Sequence, residues 1–205
     1  MAGVLRMMTG VVLAGGRSRR MGSDKTQLAW GDGTLLSAAV DKLAGLCAEI
    51  VVVGPQQEVG RAVRWTTDSY AGAGPLSGLE AGLAAASFDS VLVLACDMPA
   101  VPTELLCNIS QFSRRSDLVL PVHARGYEPL CAWYKRQSCL AAAQRLLREG
   151  NWRLQAMRQA VASVAYAVEE YYPAGGDRLF ANLNTRSEYE AALVRAALSK
   201  VRGTR

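Results

Sequence analysis

The stretch Gly10-Val11-Val12-Leu13-Ala14-Gly15-Gly16-Arg17-Ser18-Arg19-Arg20-Met21-Gly22-Ser23-Asp24-Lys25 decides the fold. Gly10–Ala14 is an apolar run of the kind that a parallel strand buried on both faces requires. The run breaks at a doubled glycine, and a Gly- and Arg-rich segment follows over residues 15–25. Leu35, Leu36, Ala39, Val40, Leu43, Leu46 and Cys47 then recur at helical spacing, which predicts an amphipathic helix over roughly 34–48. Glu49–Val53 reads as a second strand, ended by Gly54-Pro55. Strand, loop, helix and strand in that order are one turn of a β-α-β alternation.

The alternation continues outward. Arg64–Asp68 reads as a third strand. A helix opens at Pro75, a residue the first helical turn tolerates, and runs to about Ser87. Ser90–Cys96 is the strongest strand signal in the chain. A helix after Pro102 places Leu105, Leu106, Ile109 and Phe112 on one face. Leu118–Val122 and Leu130–Tyr134 read as strands. Cys139, Leu140, Ala143, Leu146 and Leu147 mark a helix up to Gly150. Trp152–Ala160 reads as a shorter helix and Ala162–Val168 as a weakly alternating strand. Thr185 and Glu188 form a capping-box signature for a last helix, which runs to about Ser199. The pattern predicts an α/β fold: a mostly parallel sheet with helices on both faces and right-handed crossovers. The chain's 205 residues suit one continuous domain.

The net charge is +5 and the pI about 9.1. Nucleic acid, an acidic membrane surface or a small anionic substrate would each explain that excess. Its placement discriminates. Arg17, Arg19, Arg20 and Lys25 against Asp24 make a local +3, and Lys200, Arg202 and Arg205 make another at the end. The rest of the chain sums to −1. A nucleic-acid binder needs a continuous basic face with interleaved aromatics, and neither is present, with aromatic content at 7%. The single histidine, His123, excludes multi-histidine metal sites. Five cysteines at irregular spacing, with no CxxC, indicate reduced thiols and a cytoplasmic protein. The short apolar run Val11–Ala14, with Arg6 before it, is neither signal peptide nor membrane span.

In parallel α/β sheets ligands bind beyond the carboxyl ends of the strands, so the residues there are the candidates. The glycines of 15–22 let a backbone approach a ligand, and the adjacent cations suit a polyphosphate. The same loop could also be no more than a solvated turn. It is not a P-loop, a dinucleotide fingerprint or a nucleophile elbow, because the required spacings are absent. Asp97 follows a wholly apolar strand and is expensive to desolvate unless paired, hydrogen-bonded or metal-bound. Beside a phosphate site it suggests a Mg²⁺ ligand, against the plainer reading of a turn cap. Asp68 ends the third strand. Gly74, Gly78 and Gly82 share a helix face, which permits close approach of either ligand or sheet; plain packing suits Gly82 best. Capping accounts for Thr185 but not for Asn182.

Residues 13–25 resemble the L-A-G-G-x-S-x-R-M-G-x-D-K signature of the molybdenum cofactor guanylyltransferases, members of the GT-A-like nucleotidyltransferases with a Rossmann-like three-layer α/β/α fold. The likeness extends, in order, to Gly74-Pro75-Leu76-Ser77-Gly78 with Ala81-Gly82-Leu83, to Cys96-Asp97-Met98-Pro99 and to Asn182-Leu183-Asn184-Thr185. The resemblance implies transfer of GMP from GTP to the terminal phosphate of molybdopterin, with release of pyrophosphate. It implies a nucleotide-binding half over about 8–100, an acceptor-binding half over about 101–198 and a basic tail over 199–205. Leu13, Ala14, Gly15, Gly16, Lys25, Asp68 and Gly78 would lie against the nucleotide, and Asp97 would hold nucleotide-associated Mg²⁺. Gly54 stands where the family often has asparagine, which leaves that nucleotide contact open. Glu128, in Tyr127-Glu128-Pro129-Leu130, and Asn182 and Asn184 would face the acceptor. The Gly15-Gly16 pair favours guanine by family pattern. Passing contacts with cofactor-delivery or acceptor proteins are also implied.

An acceptor phosphate with a second pKa of about 6 needs no general base. Catalysis then rests on positioning and charge neutralisation by Lys25, by Arg19 or Arg20, and by Asp97 with its metal. Three alternatives remain open: a cytidylyltransferase for the same cofactor, a nucleotidyltransferase for another phosphorylated acceptor, and a non-catalytic delivery protein. His123, Trp65, Trp133, Tyr134 and Cys96 read as packing residues.

Overall fold

The apolar runs become strands and the periodic runs become helices because each then buries its apolar side. The structure, a computed structural model, describes residues 7–15, 24–68, 70, 74–112, 116–173 and 176–202. In chain order the elements are β1 (Met8–Leu13), β2 (Ala29–Trp30), β3 (Gly33–Thr34), α1 (Leu35–Ala44), β4 (Glu49–Val53) and β5 (Arg64–Thr66). Next come α2 (Pro75–Ala85), β6 (Ser90–Ala95), α3 (Thr103–Gln111), β7 (Leu118–His123), β8 (Gly126–Tyr127) and β9 (Cys131–Lys135). The chain ends with α4 (Arg136–Arg148), α5 (Met157–Ala160), β10 (Ser163–Ala167), α6 (Val168–Tyr171) and α7 (Arg186–Arg202).

The main sheet has the order β10-β7-β9-β6-β1-β4-β5, with β8 paired to β7. β1 is central and parallel to both neighbours, so Val11 faces Val51 on one side and Val93 on the other. β4–β5 and β10–β7 are also parallel, whereas β9 runs antiparallel to both β6 and β7. The sheet is therefore mostly parallel, as expected, with β9 and the short β8 reversed. β2 and β3 form a separate antiparallel hairpin.

Alternation along β1 sorts the core into two layers. Met8, Val12 and Ala14 point to one side, where Leu36, Val40 and Leu43 of α1 and Leu105, Leu106 and Ile109 of α3 close over them. Val11 and Leu13 point to the other, beneath Leu76, Leu79 and Leu83 of α2 and Ala142, Ala143, Leu146 and Leu147 of α4. Gly82 sets how close α2 can come. A Cβ there would lie 2.5 Å from Val11 Cγ1 and 3.2 Å from Val53 Cγ2, so it is a packing glycine. A third, smaller cluster seats α7: Leu35, Leu183 and Ala192 are buried together, and Tyr189 Oη donates to Ala29 O at 2.6 Å.

Several elements differ from the expectation. The segment 152–160 is a 3-10 turn, Leu154–Ala156, joined to the single turn of α5. The β2–β3 hairpin and β8 have strands of two residues, too short to show a period. α7 runs through residues 199–202, expected as tail, because no helix breaker occurs before Gly203. Among the described residues no helix is long and apolar enough to cross a membrane.

Candidate active site

The strand ends around β1 are stitched into one rim. Ala14 N donates to Val53 O at 2.9 Å, Cys96 N to Leu13 O at 3.1 Å, and Gly54 N to Thr66 O at 2.9 Å. Gly54 adopts φ +153°, and a Cβ there would approach the Ala14 carbonyl carbon to 3.2 Å. Its backbone and this close contact both favour glycine. Leu13 and Ala14 are buried at the rim and Gly15 is exposed beyond it. Gly16, Arg19 and Arg20 lie outside the described residues.

Lys25 opens a 3-10 turn, Lys25–Gln27, capped by Asp24. Asp24 Oδ1 accepts from Thr26 N at 3.0 Å and Thr26 Oγ1 at 2.7 Å, and its Oδ2 accepts from Gln57 Nε2 at 2.9 Å. That anchored turn aims Lys25 across the rim at Asp97, two residues past β6. Lys25 Nζ lies 2.5 Å from Asp97 Oδ2, with side chains only 16% and 13% exposed, and 3.4 Å from Asn184 Oδ1. Three site residues drawn from distant parts of the chain therefore meet at one ammonium group. An ammonium has three donors; two are engaged by the described residues.

The Asn182–Thr185 turn is held against this pair by its backbone. Leu183 N donates to Asp97 O at 3.1 Å. Glu188 Oε2 accepts from the N–H groups of Asn184 and Thr185, both at 2.8 Å, and Glu188 N donates to Thr185 Oγ1 at 3.2 Å. That is the expected capping box. Asn182 Oδ1 is buried and has no partner among the described residues.

Glu128 lies between β8 and β9. Burial pushes its carboxyl up to about 7, opposed by the N–H of Leu130 on Oε1 at 3.1 Å and reinforced by the negative charge of Asp97. Glu128 and Asp97 thus share one electrostatic environment. Asp68 is exposed, two residues past β5. Gly78 faces Leu13 and Val53 at ordinary contact distance.

Lys42, on α1, carried no signal beyond being one lysine beside an apolar helix face. It is largely buried, which lowers its pKa to about 8, and it donates to Pro99 O at 2.5 Å and Val101 O at 2.7 Å. The residues read as packing are packed. His123 is buried and stacks on Phe180 at 4.9 Å, Trp133 Nε1 donates to Ser90 Oγ at 2.6 Å, and burial pushes the Cys96 thiol up to about 12.

Among the described residues no three His, Cys, Asp or Glu side chains come together as a metal cage. A lone rim carboxylate such as Asp97 instead suits a metal held jointly with substrate phosphates, the usual mode for Mg²⁺.

The family model of the MobA-like NTP transferase domain matches residues 10–164. A "Probable molybdenum cofactor guanylyltransferase" of Pelotomaculum thermopropionicum is 37% identical over 196 residues, covering 94% of this chain and 95% of the relative. The chain belongs to the molybdenum cofactor guanylyltransferase family. Another of these guanylyltransferases, from Desulfosudis oleivorans, is 30% identical over 90% of this chain and 94% of its own. The fold agrees. A crystal structure of molybdopterin-guanine dinucleotide biosynthesis protein A from Archaeoglobus fulgidus superposes with a TM-score of 0.76 at 25% identity, covering 93% of this chain and 99% of that one. A 2-C-methyl-D-erythritol 4-phosphate cytidylyltransferase from Thermus thermophilus shares the fold with a TM-score of 0.67 at 18% identity, covering 90% and 98%. The guanylyltransferase family is one of nucleotidyltransferases, which generally use a divalent metal.

Proposed function

We propose that this protein transfers GMP from GTP to the terminal phosphate of molybdopterin and releases pyrophosphate. The observation that carries the reading is the convergence of Lys25, Asp97 and Asn184 at the carboxyl ends of β1 and β6, in a chain of this family.

The reaction joins an oxygen of the acceptor phosphate to the α-phosphorus and breaks the bond from that phosphorus to the α,β-bridging oxygen. Pyrophosphate leaves with the electron pair. At neutral pH the acceptor phosphate is already mostly dianionic, so no side chain has to remove a proton. The barrier lies in bringing two anions together, and fixed positive charge lowers it. Lys25 presents its remaining N–H to the triphosphate. The Gly- and Arg-rich segment 15–22, which beyond Gly15 lies outside the described residues, would cradle the phosphates, with Arg19 or Arg20 adding charge. Leu13 and Ala14 border the nucleoside, and Gly54, Asp68 and Gly78 complete the nucleotide side. Asp97 would hold the metal, which we assign as Mg²⁺. When bound, the metal supplies Lewis-acid neutralisation of the triphosphate and of the leaving pyrophosphate.

Glu128, Asn182 and Asn184 form the acceptor side. The Oδ1 of Asn182, without a partner among the described residues, is an acceptor open to a donor. Glu128, about half protonated at neutral pH with its carboxyl raised to about 7 by burial, can in that form donate to a phosphate without repelling it. We place the protein in the cytoplasm, with transient contacts to proteins that deliver or receive the cofactor.

The test offers GTP, CTP and ATP separately to purified protein with molybdopterin and Mg²⁺, following pyrophosphate release and product mass. A guanine dinucleotide formed only from GTP is the expected result. Release with CTP alone would make the protein a cytidylyltransferase, and no release with any nucleotide would leave a carrier or a nucleotidyltransferase for another acceptor.

A further inference from the structure

The loop after Asp97 has a support that the reaction scheme leaves unused. Residues 96–102 turn sharply and contain two prolines, Pro99 and Pro102, which supply no N–H. The loop's own turns are Met98 N to Ala95 O and Val101 N to Met98 O, both at 3.3 Å. Two further carbonyls of the loop, Pro99 O and Val101 O, both accept from Lys42 Nζ, at 2.5 and 2.7 Å. The Met98 and Val101 side chains are fully buried, so water cannot easily replace those donors.

The two lysines grip this loop from opposite ends. Lys25 holds the Asp97 carboxylate, and Lys42, on the helix that begins eight residues after the Lys25–Gln27 turn, holds the backbone two and four residues beyond it. We propose that Lys42 is a positioning residue that sets the Asp97 carboxylate for the divalent cation. This rests on the assignment of Asp97 as metal ligand. Mg²⁺ demands near-octahedral geometry at short distances, so a small displacement of its one protein carboxylate weakens binding. Groups that orient a ligand from outside the coordination sphere typically contribute about 10–100-fold in metal affinity.

The experiment measures Mn²⁺ binding by electron paramagnetic resonance in the presence of α,β-methylene GTP, which cannot release pyrophosphate. Lys42→Met, which keeps the stem and removes the donors, should weaken Mn²⁺ binding by about tenfold or more. Binding of the nucleotide analogue without metal should stay unchanged, and Lys42→Arg should recover most of the metal affinity. In an Asp97→Asn background, Lys42→Met should have no further effect. Wild-type Mn²⁺ affinity in Lys42→Met, with Asp97→Asn impaired, would overturn the proposal and leave the ligand assignment standing. An equal loss in both backgrounds would also overturn it. Unimpaired Mn²⁺ binding in Asp97→Asn alone would remove the assignment beneath it. If Lys42→Met does not fold, Lys42→Gln removes the charge and keeps two amide donors on a stem one carbon shorter, out of reach of both carbonyls at once. Weakened metal binding there supports the proposal, and wild-type affinity refutes it.

Discussion

Lys25 and Glu128 show how burial at a rim gives a side chain its chemical character. Lys25 donates to Asp97 and Asn184, and in the proposed mechanism its third donor serves the substrate. Lys25→Ala should therefore cost roughly two orders of magnitude or more in turnover, as loss of a charge-stabilising donor does. Steady-state pyrophosphate release measures it. Glu128 makes a different prediction. Its carboxyl sits near 7 instead of the usual 4.5 because burial penalises the charged form. A pKa raised in the folded state favours folding below the unfolded value, and that contribution is lost as pH rises through the folded value. Between about pH 4.5 and 7 the wild type should lose stability that Glu128→Gln does not, by up to roughly 3 kcal/mol. Urea denaturation of both proteins at pH 5 and pH 8, without metal, reads the difference. Parallel pH dependence in the two would contradict the burial of Glu128. Glutamine keeps an oxygen for the Leu130 N–H, so the comparison isolates the titration.

At the scale of elements, α2 shows what its glycines do. Gly82→Ala would press a methyl group onto Val11 and Val53, two β-branched side chains in the central strands with little freedom to move. The cost of overpacking, about 1–3 kcal/mol, should exceed the gain of about 1 kcal/mol in helix propensity. Gly78→Ala meets Leu13 and Val53 only at 3.6 and 3.8 Å. It should be neutral or stabilising by up to about 1 kcal/mol, and thermal melts of the pair give the contrast. The periodicity that locates α2 in the sequence cannot separate these glycines, since spacing of four puts both on one face. Only the distance to the sheet does. Similarly, Cys131–Lys135 is visible as a strand, but its continuous apolar run carries no direction. It runs antiparallel to β7 because the seven residues between them, 124–130, are too few for the crossover a parallel pair needs. Trp133 faces Val119 on that side and Leu92 of β6 on the other.

Across the whole molecule, the site is closed by a segment that returns from the far end of the chain. Leu183 is buried against Leu35 and Ala192, and its N–H bonds Asp97 O. Leu183→Ala should destabilise the protein by about 2–3 kcal/mol through the cavity it leaves. It should also lower turnover more than it raises KM for GTP if Asn182 and Asn184, which flank it, serve the acceptor as proposed. Denaturation and steady-state kinetics check the two effects. The basic excess is likewise resolved by position: part of it serves the rim through Lys25, and part belongs to the end of α7 and the residues after it. By itself the sequence determined the α/β alternation, the rim residues and the capped last helix, because hydrophobic period, glycine placement and capping are local properties of the chain. Tertiary structure alone decided the meeting of Lys25, Asp97 and Asn184, and the reach of Lys42 to the loop behind Asp97. Those depend on which buried donors find which acceptors across 57 to 159 residues of chain, and no local pattern records that choice.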